Sequence, residues 1–180
     1  RNLFLFGFGA TEVEWNGSGT TLPVGISAME RKLVGRLSVT VVRARGLQRM
    51  DCSAEGGKAD PFCLLTVDGA TERTKTVSQN LEPVWGETFE MGVSARCLSI
   101  DSRLSKRFGN LRVALYDFDL GAEPEPMGQV KLSIADLVLE GSTVWERWFP
   151  IKPLQGSKAQ GDLLLKIRYR PADLAPGGGG

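Results

Sequence analysis

The stretch Leu111-Arg112-Val113-Ala114-Leu115-Tyr116-Asp117-Phe118-Asp119 decides how the chain reads. Leu111, Val113 and Leu115 share one parity of a strand and so face a core, and Asp117 and Asp119 continue on the same parity. Burying unpaired charge is costly. Either the strand has run past the end of its core by Asp117, or both acids aim at a cation, and the two conditions are compatible. That is the geometry of a metal cup at the rim of a β-sandwich. A short acidic loop follows and closes at Met127-Gly128, and further ligands are to be sought on other loops.

Working outward, the same period of two recurs from Gly35 onward with turn residues between the runs. Leu37, Val39 and Val41 alternate with Ser38 and Thr40 until Gly46-Leu47. A polar loop, residues 48–59, leads to Asp60-Pro61 and a strand over 62–67, and Asp68-Gly69 signals a tight hairpin. A third strand is expected over 71–77 with Arg73 and Lys75 on one face. A fourth follows Asn80-Leu81-Glu82-Pro83, with Trp85, Glu87, Phe89 and Met91 sharing a face. Residues 92–109 read as a long basic connection. A sixth strand is expected over 127–132, a Ser133-capped helical turn after it, and two last strands over 145–151 and 161–169. Eight short strands argue for an all-β fold, an eight-stranded antiparallel sandwich.

Composition narrows the chemistry. The chain of 180 residues suffices for one sandwich burying about 70% of its surface, with extra chain at the ends. There is no histidine, which removes His-based general base catalysis and zinc–histidine sites. Cys52, Cys63 and Cys97 are odd in number and widely spaced, so neither a disulfide framework nor a zinc site is expected, and a reducing compartment fits best. Asn16-Gly17-Ser18 matches a glycosylation acceptor, which has no meaning in such a compartment. No apolar run approaches the ~20 residues of a membrane span. The chain starts at Arg and is expected to be a piece of something longer. Residues 1–34 read as an extension or the edge of a preceding domain, with short strands near 3–6 and 11–15 and a helix or connector over 26–33; residues 35–171 are the sandwich, and 172–180 a flexible Gly-rich tail.

The blocks Met50-Asp51, Ala59-Asp60-Pro61-Phe62, Thr74-Lys75-Thr76, Asn80-Leu81-Glu82-Pro83-Val84-Trp85, Tyr116-Asp117-Phe118-Asp119 and Met127-Gly128 together resemble a C2 domain. The resemblance covers roughly residues 35–171 and implies a Greek-key sandwich, in the permutation called type II, whose loops at one end bind Ca2+ and then acidic phospholipid. Residue by residue it implies Asp51 and Asp60 as first-loop ligands and Asp117 and Asp119 as third-loop ligands. Glu125 stands where the family usually has an Asp. Carboxylate oxygens suit calcium better than magnesium. The first loop is longer than usual between Asp51 and Asp60, which opens the prospect of Asp51 swinging away.

Charge counting gives these five acids a local charge of −5, although the chain totals +1. Two calcium ions would reduce that to about −1 and let Arg43, Arg45, Arg49 and Lys58 act on an anionic membrane. Only Leu120, Ala122 and Met50 are offered for insertion, so docking is expected to be shallow. Arg73 and Lys75 read equally as a phosphoinositide site or as a solvated face. Asp60-Pro61 is also ordinary turn chemistry, and Trp85, Phe89, Trp145 and Trp148 read as core or rim aromatics. The expected role is calcium-dependent binding of anionic phospholipid by a cytoplasmic, peripheral membrane module, with other domains of the parent chain as further partners and no nucleic acid. A calcium-independent protein–protein or phosphoinositide-binding scaffold is the alternative. An enzyme is not expected, since no Gly-x-Ser-x-Gly elbow or phosphate loop is present.

Overall fold

The computed structural model describes residues 13–15, 21–23, 31–50, 58–141 and 143–172. The expected strand near 3–6, the Asn16-Gly17 turn, most of the 26–33 connector, Asp51 and the Gly-rich tail beyond Ala172 lie outside the described residues. Near the N-terminus, β1 (Val13–Trp15) pairs antiparallel with β2 (Thr21–Pro23).

The sandwich follows from β3 (Leu33–Arg45), β4 (Pro61–Val67), β5 (Ala70–Arg73), β6 (Val84–Ser94), β7 (Asn110–Asp117), β8 (Glu125–Ser133), β9 (Trp145–Pro150) and β10 (Asp162–Pro171). They form two antiparallel four-stranded sheets, ordered β6-β3-β10-β9 and β5-β4-β7-β8. The period of two puts one face of each sheet inside: Leu37, Val39 and Val41 of β3 and Leu163, Leu165 and Ile167 of β10 face Cys63, Leu65, Val113 and Leu115 of the other sheet's inner side. Each buried leucine or valine contributes roughly 1.5–3 kcal/mol relative to exposure.

A bulge between Val41 and Arg43 resets the parity of β3. Beyond it Ala44 is the buried residue, while Arg43 and Arg45 turn to the outside.

Two stretches differ from expectation. The third strand ends at Arg73 rather than running to Val77, because the buried Thr74 turns its hydroxyl to the backbone, accepting from the Cys63 N–H (2.9 Å) and donating to the Lys75 carbonyl (3.0 Å). The basic connection over 92–109 begins as the end of β6 and then contains a 3-10 turn (Ala95–Leu98) and α1 (Ser102–Phe108). Asp101 caps α1 by accepting from the amides of Arg103 (2.8 Å) and Leu104 (3.3 Å). The expected turn after Ser133 is α2 (Ile134–Leu139), with the Ser133 hydroxyl accepting the Asp136 N–H. Among the described residues, no helix is long and apolar enough to cross a membrane.

Candidate functional site

Of the acids predicted from sequence, Asp60, Asp117 and Glu125 are brought to one end of the β5-β4-β7-β8 sheet by strand register, with Asp119 two residues beyond Asp117. Asp117 lies opposite Pro61 on β4 and opposite Glu125 on β8, and Asp60 is the residue before Pro61. Asp117 keeps the inward parity of Leu115 and is 3% exposed, so the core has not ended there. Its burial is compensated by hydrogen bonding: Oδ1 accepts the Asp60 N–H at 2.6 Å. The Phe118 N–H donates in turn to the Asp60 carbonyl at 3.0 Å.

Asp60 is the hinge between two loops. Its Oδ1 accepts the Gln79 N–H at 2.6 Å, and the Asn80 N–H donates to the Ala59 carbonyl at 2.8 Å. Gln79 adopts a left-handed backbone (φ 50°), which aims its amide at the carboxylate. The Asn80 side chain accepts the Glu82 N–H at 2.8 Å, and the carbonyls of Leu81 and Pro83 accept from Leu47 and Ala44. The indole of Trp85 donates to the Lys75 carbonyl at 3.1 Å. The blocks around Asn80 and Thr74 therefore staple the loops that carry the acids. Sequence reasoning did not single out Gln79, whose contribution is a backbone amide and carries no residue-type signal.

Beyond β7, Asp119 is half-buried and its carbonyl accepts the Ala122 N–H at 3.4 Å across a turn whose apolar tip, Leu120, is 95% exposed. Phe118 is exposed beside it. Glu125 is exposed and lines an open cleft of about 410 Å³ with Gln48, Met50, Gln155 and Lys158. Arg49 and Lys58 are exposed on either side of the undescribed part of the first loop. Arg73 stacks its guanidinium over the Phe62 ring at 3.9 Å and donates to Thr76 Oγ1, while Lys75 is exposed just past the end of β5.

The donor chemistry suits a hard cation, being carboxylates without thiolate or imidazole. The side chains do not assemble a full set: among the described residues no three of His, Cys, Asp or Glu are gathered closely enough to hold a metal. One oxygen each of Asp60 and Asp117 is engaged by a backbone amide. A calcium set built here requires Asp51, outside the described residues, or turning of Asp119 and Glu125 toward the pair.

Comparison with known proteins agrees with this architecture. The chain is 33% identical over 155 residues to a calcium-dependent lipid-binding protein of Arabidopsis thaliana, a match covering 82% of the chain and 27% of that protein. It is 29% identical over 139 residues to the Rho GTPase-activating protein gacEE of Dictyostelium discoideum, covering 77% of the chain and 22% of the relative. The chain thus spans about a quarter of the length of these relatives. The structure of a C2 domain of plant extended synaptotagmin 1 superposes with a TM-score of 0.61 at 26% identity, covering 79% of this chain and 98% of that one. Residues 35–151 match the C2 domain family, and the chain belongs to it.

Proposed function

We propose that this C2 domain binds anionic phospholipid surfaces through the rim, in a calcium-dependent manner, as a peripheral targeting module on the cytoplasmic side of membranes. The observation that carries the reading is the register of β4, β7 and β8, which sets Asp60, Asp117 and Glu125 at one end with Asp119 two residues beyond. The relative in Arabidopsis thaliana that carries calcium-dependent lipid binding in its name supports it. Asp51, Asp60, Asp117, Asp119 and Glu125 would hold the ion. Bound calcium supplies positive charge and open coordination positions suited to lipid phosphate or carboxylate. The chain's own part is to hold the loops through the Asp60 and Asp117 hydrogen bonds, to offer Arg49 and Lys58 at roughly 1 kcal/mol each near an anionic surface, and to present Leu120 and Phe118 for shallow contact. Its role is binding and not catalysis.

A second reading rests on the spacing of the rim acids, no three of which are gathered closely enough among the described residues to hold a metal: a calcium-independent scaffold for protein partners, or for phosphoinositide at Arg73 and Lys75. Vesicle co-sedimentation separates the two. Calcium-dependent pelleting with phosphatidylserine vesicles, weakened by added salt, supports the first. Binding indifferent to both chelator and salt contradicts it.

A further inference from the structure

The outer face of the β6-β3-β10-β9 sheet carries charge that the rim does not use. Strand register sets Arg36 beside Arg170, Ser38 beside Arg168, Thr40 beside Lys166, and Arg43 beside Leu164, whose other neighbour is Trp148. Arg45 follows, beside Asp162. All six of these cations are exposed, and three acids share the face: Glu90, Glu146 and Asp162. Two of the acids are engaged, Asp162 by Arg45 at 3.0 Å and Glu90 by Arg170 at 3.1 Å. Arg36, Arg43, Lys166 and Arg168 take part in no ion pair among the described residues. The chain as a whole is only +1, so positive charge is concentrated on this face.

The guanidiniums nearest the rim are held in place. Arg45 lies over the Trp148 ring at 4.2 Å from its centroid and Arg43 at 5.5 Å, so both stack on one indole. That arrangement depends on the β3 bulge, which turns both arginines outward.

We propose that this sheet face is a second, calcium-independent contact for the anionic phospholipid surface, with the domain lying on its side and the rim at the membrane edge of the contact. The inference rests on the membrane role proposed above and adds an orientation to it. Charge complementarity selects an anionic partner. A bilayer is favoured because the cations spread over adjacent strands of an open sheet face, which suits laterally mobile headgroups without fixed geometry. The Trp148 ring on this face is already covered by arginines, leaving no platform there for stacked bases. The face also runs into the rim, since Arg45 ends β3 where the first loop departs.

The test is binding to vesicles of equal parts phosphatidylcholine and phosphatidylserine, in chelator and in calcium, for the unaltered domain, K166E/R168E, the milder K166Q/R168Q, and R73E/K75E on the other sheet. Melting temperature checks that each variant is folded. Residual salt-sensitive binding in chelator is expected for the unaltered domain, falling at least about tenfold in K166E/R168E, less in K166Q/R168Q, and least in R73E/K75E. Chelator-resistant binding equal in K166E/R168E and the unaltered domain, or a larger loss in R73E/K75E, overturns the assignment. So does capture of a soluble polyglutamate peptide without vesicle binding, which assigns the face to an acidic protein. Binding only in calcium overturns this inference and leaves the proposed function standing, whereas no binding in either condition removes both.

Discussion

Asp60 and Asp117, 57 residues apart in sequence, are joined at the rim by the Asp60 N–H donating to Asp117 Oδ1 at 2.6 Å. The bond closes the first and third loops onto each other, and Gln79 extends the chain of bonds to the second loop. Asp117→Ala removes the acceptor and is expected to cost about 1–3 kcal/mol in urea unfolding, because the part-buried amide is left unsatisfied. Asp117→Asn keeps a carbonyl oxygen at the same place and should lose less. Equal losses for the two variants would show that the bond does not organise the rim.

Thr74 ties the start of the second loop to β4. Thr74→Val preserves shape but strands the Cys63 N–H, and unfolding should become easier by about 1–3 kcal/mol. Thr74→Ser retains the hydroxyl and should recover most of that. A serine variant no better than the valine variant would assign Thr74 to packing alone.

Gly128 sits at φ 141°, pressed against the Ile151 side chain and the Lys152 carbonyl. A methyl group there overlaps both, next to the register shift between Leu115 and Tyr116 on β7. Gly128→Ala is predicted to destabilise by about 1–3 kcal/mol, read as a lower melting temperature. An unchanged melting temperature would mean that the β8 backbone moves aside freely.

Burial, and then the nearby Asp68 carboxylate, push the Cys97 thiol up to about 11 from its usual 9.0. Cys63 is raised further still by burial, with Glu87 adding to it. Because the folded values lie above the unfolded ones, both groups favour folding fully below pH 9, and that contribution is lost as pH rises toward and through the folded values. Denaturant unfolding from pH 8 to 11 should therefore show stability falling less steeply in Cys97→Ala than in the unaltered domain. Parallel curves would contradict this.

The sandwich was readable because period two is printed directly in Leu37 to Val41, Leu111 to Leu115 and Leu163 to Ile167, and burial follows it. The helix α1 was hidden inside a basic stretch, although Asp101 with Leu104 and Phe108 four apart was a usable signal. That Asp60, Asp117 and Glu125 reach one end of the sheet was legible from strand ends and loop order. Their side-chain geometry was not, because Asp60 points where the Gln79 backbone amide lies, and that depends on how two distant loops dock. The cationic face was equally invisible, since Arg43 and Trp148 become neighbours only through β10 between them.

The most direct measurement is calorimetric titration of calcium into the unaltered domain and into D117N/D119N. Saturable binding by the unaltered domain, lost or weakened at least about tenfold in the variant, is the predicted result, as expected where two carboxylate ligands are neutralised. No binding at millimolar calcium, or the same isotherm for both proteins, would contradict a calcium-binding rim.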